Sequence, residues 1–129
     1  MVVGTGFDVT SVARVARLVR DHAATLDRIF TPQERAYCTG GPARRHDARY
    51  AAAFAGKEAV LKALGIGWRS DVDWSEIDTG SRDGMGAVTL TGGAARAAES
   101  QGVTRVILSV AFTSQTALAA ALAERAAYD

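Results

Sequence analysis

The sequence contains few residues that could cross-link it or bind a soft metal. There is a single cysteine, Cys38, among 129 residues, so an internal disulfide framework is excluded and a reducing compartment is expected. There are only two histidines, His22 and His46. They lack the spacing of a metal pair or of a Ser-His-Asp set, and we assign neither a catalytic role.

Long apolar runs and an excess of one charge are also absent. No apolar stretch approaches the ~20 residues of a membrane span, and the first residues lack the basic and apolar regions of a signal peptide. The net charge of +1 gives no general case for nucleic-acid binding. With 48% apolar and 22% charged residues, the chain is expected to form one domain over residues 1–129 in the cytoplasm.

Turn signals and hydrophobic periodicity predict elements in the order β-α-α-α-β-β-α-β-β. The clearest helix start is Thr31-Pro32-Gln33-Glu34, with a Thr cap, Pro at the first helical position and Glu three residues after the cap. The predicted strands are 1–9, 74–79, 87–90, 106–112 and 116–122, a loop covers 68–73, and the helices begin near residues 11, 31, 43 to 47, and 92. This order predicts an α+β fold with a mostly antiparallel sheet packed against helices.

The most informative stretch is residues 54–65, Phe-Ala-Gly-Lys-Glu-Ala-Val-Leu-Lys-Ala-Leu-Gly. Glu58 and Lys62 are four residues apart, so they share one face of the predicted helix. Gly65 and Gly67 then end the helix in a loop whose backbone can approach a ligand closely. The spacing fits an ordinary exposed ion pair, and it also fits a site that holds a metal and a phosphate.

A second acid, Asp8, stands at the end of the first predicted strand. It can cap or electrostatically favour the next helix, or it can join Glu58 as a pair of hard oxygen ligands for Mg²⁺. In the second case Lys62 would face the phosphate and stabilise a leaving oxygen. The sequence supplies these residue types and leaves open whether Asp8 meets Glu58.

Two groups of arginines present a similar choice. The first-helix arginines are Arg14, Arg17 and Arg20, and the long-helix arginines are Arg44, Arg45 and Arg49. The first group is either a solvated face or a docking surface for an acidic partner. The second group is either an exposed patch, with Asp47 inside it, or a binding site for a terminal phosphate through forked contacts.

Together these segments resemble the holo-acyl-carrier-protein synthase family, the small class of 4′-phosphopantetheinyl transferases. Residues 4–9, Gly-Thr-Gly-Phe-Asp-Val, resemble the family's N-terminal G-x-G-x-D-[IV] segment. Residues 28–38 are similar to its second segment. Residues 54–67 resemble its signature, F-A-x-K-E-A-x-x-K-A-L-G-x-G. The resemblance covers nearly the whole chain, in family order and at family spacing.

The resemblance implies transfer of 4′-phosphopantetheine from coenzyme A to a serine of an apo acyl carrier protein, with release of 3′,5′-ADP. Asp8 and Glu58 would coordinate Mg²⁺ against the coenzyme A pyrophosphate. Glu58 would also help to deprotonate the serine, directly or through water, and Lys62 would neutralise or protonate the leaving 3′,5′-ADP. The residues expected to bind the co-substrate are Lys57, Gly65, Gly67, Arg44, Arg45 and Arg49.

The resemblance also implies partners. Arg14, with Arg17 and Arg20 nearby, would dock the acidic recognition helix of the carrier protein, and the family commonly forms trimers with active sites between subunits. Two positions depart from the family pattern: Ala53 replaces a common Arg, and Phe112 replaces a common His. Both family residues are associated with nucleotide phosphate binding, so the long-helix arginines are candidates to compensate. The alternative is a catalytically weak homologue that binds the carrier protein.

Overall fold

The structure is a computed structural model that describes residues 1–67 and 71–127. Its strands β1 to β6 are Val2–Ser11, Ile77–Asp78, Met85–Ala87, Thr89–Leu90, Arg105–Phe112 and Thr116–Glu124. Its helices α1 to α5 are Val12–Asp21, Leu26–Ile29, Pro32–Thr39, His46–Leu64 and Gly92–Ser100. Short 3-10 turns cover Ala23–Thr25, Ala43–Arg45 and Trp74–Glu76. None of the helices in these ranges is long and apolar enough to span a membrane.

A four-stranded antiparallel sheet in the order β1-β6-β5-β3 forms one layer, and helix α4 packs across one face of it. A separate two-stranded sheet joins β2 to β4. This arrangement confirms the predicted α+β fold with a mostly antiparallel sheet.

Two predicted strands are wrong in their extent. Over residues 74–79 the chain forms a 3-10 turn before the two-residue strand β2, because Glu76 accepts a hydrogen bond from the Asp73 N–H at 2.6 Å and closes a capping box. The predicted strand 87–90 is divided between two sheets. Ala87 pairs with Ile107, whereas Thr89 pairs with Asp78. The predicted loop 68–73 lies partly outside the described residues.

Strand β1 and helix α4 touch backbone to backbone, which requires glycine in the strand. A Cβ added at Gly4 would lie 2.0 Å from the carbonyl oxygen of Ala63, and one added at Gly6 would lie 1.9 Å from that of Ala59. Side chains two residues apart in a strand share a face. Asp8 is therefore carried on the α4 side of β1, one step beyond the two glycines.

Helix α4 is buried almost all round. Between residues 50 and 64 every residue is buried except Phe54, Glu58 and Lys62, which are spaced four apart and so follow one stripe along the helix. The remaining faces pack in two hydrophobic groups, one against the sheet around Val60 and Leu108 and one against α1 and α3. Glu58 and Lys62 are thus the charged side chains that α4 presents to solvent between residues 50 and 64.

The face of the sheet away from α4 is apolar and exposed. Its members include Val3, Phe7, Val9, Leu118 and Leu122, and Val9 pairs directly with Leu118 across β1 and β6. Phe7 is 56% exposed and Val9 53%. Contiguous apolar surface of this kind marks interaction sites in soluble proteins. We call these five residues the open sheet face.

Candidate active site

The structure brings Asp8 and Lys62 into contact. The Lys62 ammonium donates to the Asp8 carboxylate, with 3.2 Å between Nζ and Oδ1, and to the carbonyl oxygen of Phe7 at 2.9 Å. The Asp8 side chain is 17% exposed and the Lys62 side chain 51%. An acid at the end of a strand thereby meets the last turn of a helix that lies 54 residues away in sequence.

Glu58 belongs to the same cluster. Partial burial raises its pKa, and the negative charge of Asp8 raises it further, while Lys62 and Arg14 act in the opposite direction. Arg14 is held at the edge of the cluster by a hydrogen bond from Nη2 to Thr10 Oγ1 at 3.1 Å. The two predicted carboxylates therefore influence each other. We call Asp8, Arg14, Glu58 and Lys62 the carboxylate cluster.

Ser11, rather than Asp8, caps helix α1. The Ser11 hydroxyl accepts from the Arg14 N–H at 3.3 Å. The capping role that the sequence left open for Asp8 is therefore taken, and its carboxylate is directed to the cluster instead.

The cluster suits a hard divalent cation. Asp8 and Glu58 are two carboxylates close enough to influence each other, and within the described ranges no group of three or more His, Cys, Asp or Glu side chains is arranged to hold a metal. Mg²⁺ commonly takes one or two protein carboxylates and completes its shell with water and phosphate oxygens. Repulsion between the two carboxylates contributes to the raised pKa of Glu58, and a bound cation would relieve it.

A glycine turn follows Lys62 at the end of α4. Gly65 has φ 66° and Gly67 has φ 50°, and both values favour glycine. The N–H of Gly65 donates to the Lys62 carbonyl oxygen at 3.0 Å and that of Ile66 to the Leu61 carbonyl oxygen at 3.1 Å, as in a helix C-cap with a left-handed residue. A Cβ at either glycine would meet nothing within 4 Å among residues 1–67 and 71–127, so no described residue covers the turn.

The first-helix arginines are not equivalent. Arg14 and Arg17 line one shallow groove on α1 together with Leu18, Asp21 and His22. Arg20 instead pairs with its neighbour Asp21, with 3.4 Å between Nε and Oδ1. Arg14 is the member that also reaches the carboxylate cluster.

The long-helix arginines also differ in their exposure to solvent. Arg44 and Arg45 are exposed on the 3-10 turn before α4. Arg49 points inward, where its guanidinium stacks 4.4 Å from the centre of the Tyr37 ring and donates to the Gly40 carbonyl oxygen at 3.1 Å. Arg49 and Glu58 are nine residues apart, which is half a turn out of phase on a helix. Within one chain, Arg49 therefore faces away from the carboxylate cluster.

Lys57 does not occupy the position expected of a co-substrate ligand. Its side chain is 0% exposed, and its ammonium lies 2.8 Å from Oε1 of Glu34 and donates to the carbonyl oxygens of Trp74 and Ile77. Burial lowers the pKa of Lys57, and Glu34 opposes that shift. The predicted contact between Lys57 and the co-substrate is corrected, because no part of this side chain is open to a ligand. Lys57 instead has a structural role.

Glu34 makes contacts that the sequence predicted and others that it did not. Its predicted capping box with Thr31 is present. The same carboxylate also accepts from the Thr79 N–H at 2.9 Å and pairs with Lys57. The capping motif was the available signal, and nothing in the spacing of Glu34 and Lys57 indicated that they would meet.

A model of the 4′-phosphopantetheinyl transferase superfamily matches residues 4–121, a range that contains the whole carboxylate cluster. The chain belongs to this superfamily. It is 40% identical over 126 residues to the holo-[acyl-carrier-protein] synthase of Solibacter usitatus, a match that covers 96% of this chain and 99% of that protein. The predicted family and enzyme class, a phosphopantetheinyl transferase of the holo-acyl-carrier-protein synthase type, are thereby confirmed.

Solved structures of these transferases share the fold. The Neisseria meningitidis holo-[acyl-carrier-protein] synthase superposes with a TM-score of 0.75 at 32% identity, covering 97% of this chain and all of that one (100%). The Helicobacter pylori synthase, solved in complex with coenzyme A, gives a TM-score of 0.73 at 22% identity, covering 93% of this chain and 99% of that one. At that identity the second likeness supports the fold alone.

Of the two departures from the family pattern, Ala53 is buried and Phe112 is partly buried. Ala53 is 9% exposed and belongs to the hydrophobic group between α1, α3 and α4, and Phe112 packs against the same group. In this chain, apolar side chains therefore occupy both positions that the family resemblance associates with phosphate binding.

Proposed function

We propose that this transferase moves 4′-phosphopantetheine from coenzyme A to a serine hydroxyl of an apo acyl carrier protein, with Mg²⁺ as its metal and 3′,5′-ADP as the second product. The observation that carries the proposal is the contact between Asp8 and Lys62 beside Glu58. This contact gathers two oxygen ligands and one ammonium group at the edge of the sheet. The membership of the superfamily supplies the reaction class.

Three members of the cluster take part in the chemistry of this proposal, and Glu58 has two roles. Asp8 and Glu58 would hold Mg²⁺, which would supply charge neutralisation for the pyrophosphate oxygens. The serine oxygen forms a bond to the phosphorus nearer the pantetheine, and the bond from that phosphorus to the bridging oxygen breaks. Glu58 takes the serine proton directly or through water. Lys62 neutralises or protonates the departing 3′,5′-ADP oxygen.

The glycine turn and the arginines serve recognition. No described residue covers Gly65 and Gly67, one turn beyond Lys62, so a nucleotide can approach the backbone there. Arg44 and Arg45 add positive charge for its phosphates. Arg14 and Arg17 share a groove that adjoins the cluster. An acidic helix of the carrier docked on this groove would present its serine to the cluster, since opposite charges favour both encounter and orientation.

We further propose that the protein works as a homotrimer assembled through the open sheet face. Exposed Phe7, Val9, Leu118 and Leu122 supply the apolar surface that a stable interface needs. A closed ring of three copies covers this face on every copy.

The direct test is mass spectrometry of apo carrier proteins incubated with the enzyme, coenzyme A and Mg²⁺. We expect the mass of the carrier to rise by one phosphopantetheine group, and we expect chelation of divalent ions to abolish the gain. If no carrier in a panel from fatty-acid and polyketide systems gains this mass, the proposed transfer is wrong.

The second candidate is a homologue that binds the carrier protein with weak catalysis. The apolar residues at positions 53 and 112 favour it. It predicts carrier binding without a change of mass, together with little affinity for coenzyme A. The intact grouping of Asp8, Glu58 and Lys62 favours the enzyme, because docking alone does not require those three residues.

A further inference from the structure

The groove on α1 carries both signs of charge. Its lining side chains are those of Arg14, Arg17, Leu18, Asp21 and His22. Arg14 reaches the carboxylate cluster, whereas Asp21 is the last residue of the helix. Seven residues separate these two, which is about 10 Å along a helix axis. The proposed function uses the arginines of this groove and leaves Asp21 without a role.

The lining side chains of the helix follow one stripe. Arg14 and Leu18 are four residues apart, as are Arg17 and Asp21, and side chains with this spacing share a helix face. Both arginines are exposed, and the Asp21 side chain is 55% exposed, so a partner lying along the stripe would meet all three. The charge therefore changes from positive near the carboxylate cluster to negative at the end of the helix.

The stability of α1 does not account for Asp21. An acid in the last turn of a helix lies at the negative end of the helix dipole, where cations are favoured. Asp21 pairs with Arg20, with 3.4 Å between Oδ1 and Nε, and the Arg20 side chain is 67% exposed. Ion pairs between exposed side chains contribute little to stability. An exposed carboxylate that does not stabilise its own helix, in a groove with two arginines, indicates recognition of charge on a partner.

Asp21 limits the partners that the groove accepts. A docking helix with acids along its whole length would place one of them beside Asp21, and like charges brought together at an interface disfavour binding. Acids near the modified serine would instead meet Arg14 and Arg17, because Arg14 adjoins the carboxylate cluster. A partner therefore complements every charge of the groove when a cation follows about 10 Å further along its helix.

We propose that Asp21 is a specificity-determining residue of this transferase. It selects carrier proteins whose docking helix has acids beside the modified serine and a lysine or arginine about two turns further from it. The inference rests on the proposed function, because delivery of the serine to the carboxylate cluster sets the register of the docked helix on α1. Arg14 and Arg17 attract any acidic helix, and Asp21 discriminates among acidic helices.

The test is a charge swap between the full-length protein and an apo acyl carrier protein whose docking helix is acidic throughout. Carrier variants each replace one acid of this helix by lysine, and mass spectrometry gives kcat/KM for the modification of each. For the parent enzyme, we expect the lysine about two turns from the serine to raise kcat/KM about fivefold, the size of one exposed ion pair. For Asp21→Lys, the same carrier variant should be about fivefold worse than the acidic carrier. Because both carriers are compared on one enzyme, a loss of enzyme stability cannot reverse the preference.

Two control variants separate Asp21 from its surroundings. Glu99→Lys makes the same change of charge at an exposed position of α5 and should keep the preference of the parent. Arg20→Gln removes the ion-pair partner of Asp21 and should also keep that preference. If Asp21→Lys and the parent prefer the same carrier, the proposal is overturned. If Arg20→Gln abolishes the preference, Arg20 is the discriminating residue and the assignment to Asp21 is wrong.

Binding measured without coenzyme A distinguishes this proposal from the transfer reaction. Calorimetry of the same apo carriers with the parent and with Asp21→Lys should show the same preference and its reversal. If carriers are modified and neither measurement depends on Asp21, the specificity role is wrong and the proposed function stands. If binding shows the reversal and no carrier is modified, Asp21 keeps its role and the proposed transfer is wrong.

Discussion

The Lys62 ammonium lies 3.2 Å from Oδ1 of Asp8, and the two residues come from different layers of the fold. The cation that we assign to the leaving group thus pairs with an acid that we assign to the metal. Under the proposed function, both charges would exchange partners when Mg²⁺ and coenzyme A bind. The contact therefore joins a residue of the proposed metal site to the residue proposed to neutralise the leaving group.

Lys62→Ala should reduce kcat for carrier modification about a hundredfold, because one charged donor is lost where negative charge develops. The KM for the carrier should change little, since Lys62 lies outside the groove of Arg14 and Arg17. Timed mass spectrometry of the carrier gives both constants. Arg96→Ala, which removes a distant exposed cation, is the control, and an unchanged kcat in Lys62→Ala would remove Lys62 from the mechanism.

Gly6→Ala should lower the free energy of unfolding by about 3 kcal/mol, because the added methyl group would meet the Ala59 carbonyl oxygen at 1.9 Å and separate β1 from α4. Urea unfolding followed by circular dichroism measures this change. Thr5→Ala, at the adjacent exposed position of the same strand, should cost less than about 1 kcal/mol. Equal costs for the two variants would contradict the backbone contact.

Cys38 should be unreactive in the folded protein, because burial raises the pKa of its thiol to about 12. The unfolded chain loses the thiol proton near the ordinary pKa of 9.0, so its Cys38 binds fewer protons than that of the folded protein above that pH. The contribution of Cys38 to the free energy of unfolding should therefore fall as the pH rises above that value, by at most about 1.4 kcal/mol per pH unit.

Urea unfolding at pH 8, 9 and 10 measures this slope, and Cys38→Ala is the comparison because it removes the group. We expect the variant to lose less stability over this range than the parent does. Rapid reaction of the native protein with a thiol reagent at pH 8 would show that the side chain is accessible.

Phe7→Asp should dissociate the proposed trimer, because it places a charge in the middle of the open sheet face. Sedimentation velocity measures the mass of the particle. Ala36→Asp adds the same charge at an exposed position on α3 and should leave the assembly intact. A parent protein that sediments as a monomer at micromolar concentration would refute the assembly itself.

The sequence predicted that Glu58 and Lys62 share a helix face, because that geometry is local, and it left open whether Asp8, 54 residues before Lys62, meets them. The spacing of Glu58 and Lys62 is a helical repeat, and the glycines that let Asp8 reach them lie two and four residues before it. The pairing of Glu34 with Lys57 could not be predicted in the same way. It depends on how α3 packs against α4, and the two residues of a buried ion pair have no characteristic spacing in the sequence.

Residues 74–90 show a second reason for failure. Apolar residues such as Trp74 and Ile77 indicated a continuous strand, but the Glu76 carboxylate closes a tight turn and also accepts from the Gly93 N–H at 2.6 Å. A side chain that bonds to the backbone of two separate segments overrides local strand propensity.

Between residues 50 and 64, solvent has access to α4 along a line one residue wide, through Phe54, Glu58 and Lys62. A small molecule designed against this helix can therefore address one aromatic ring and two opposite charges, and little else. Selectivity for this transferase must come from surfaces that the line adjoins, such as the glycine turn or the groove on α1. An inhibitor that extends from this line toward either surface would bind the exposed stripe of α4 and would gain its selectivity from the adjoining surface.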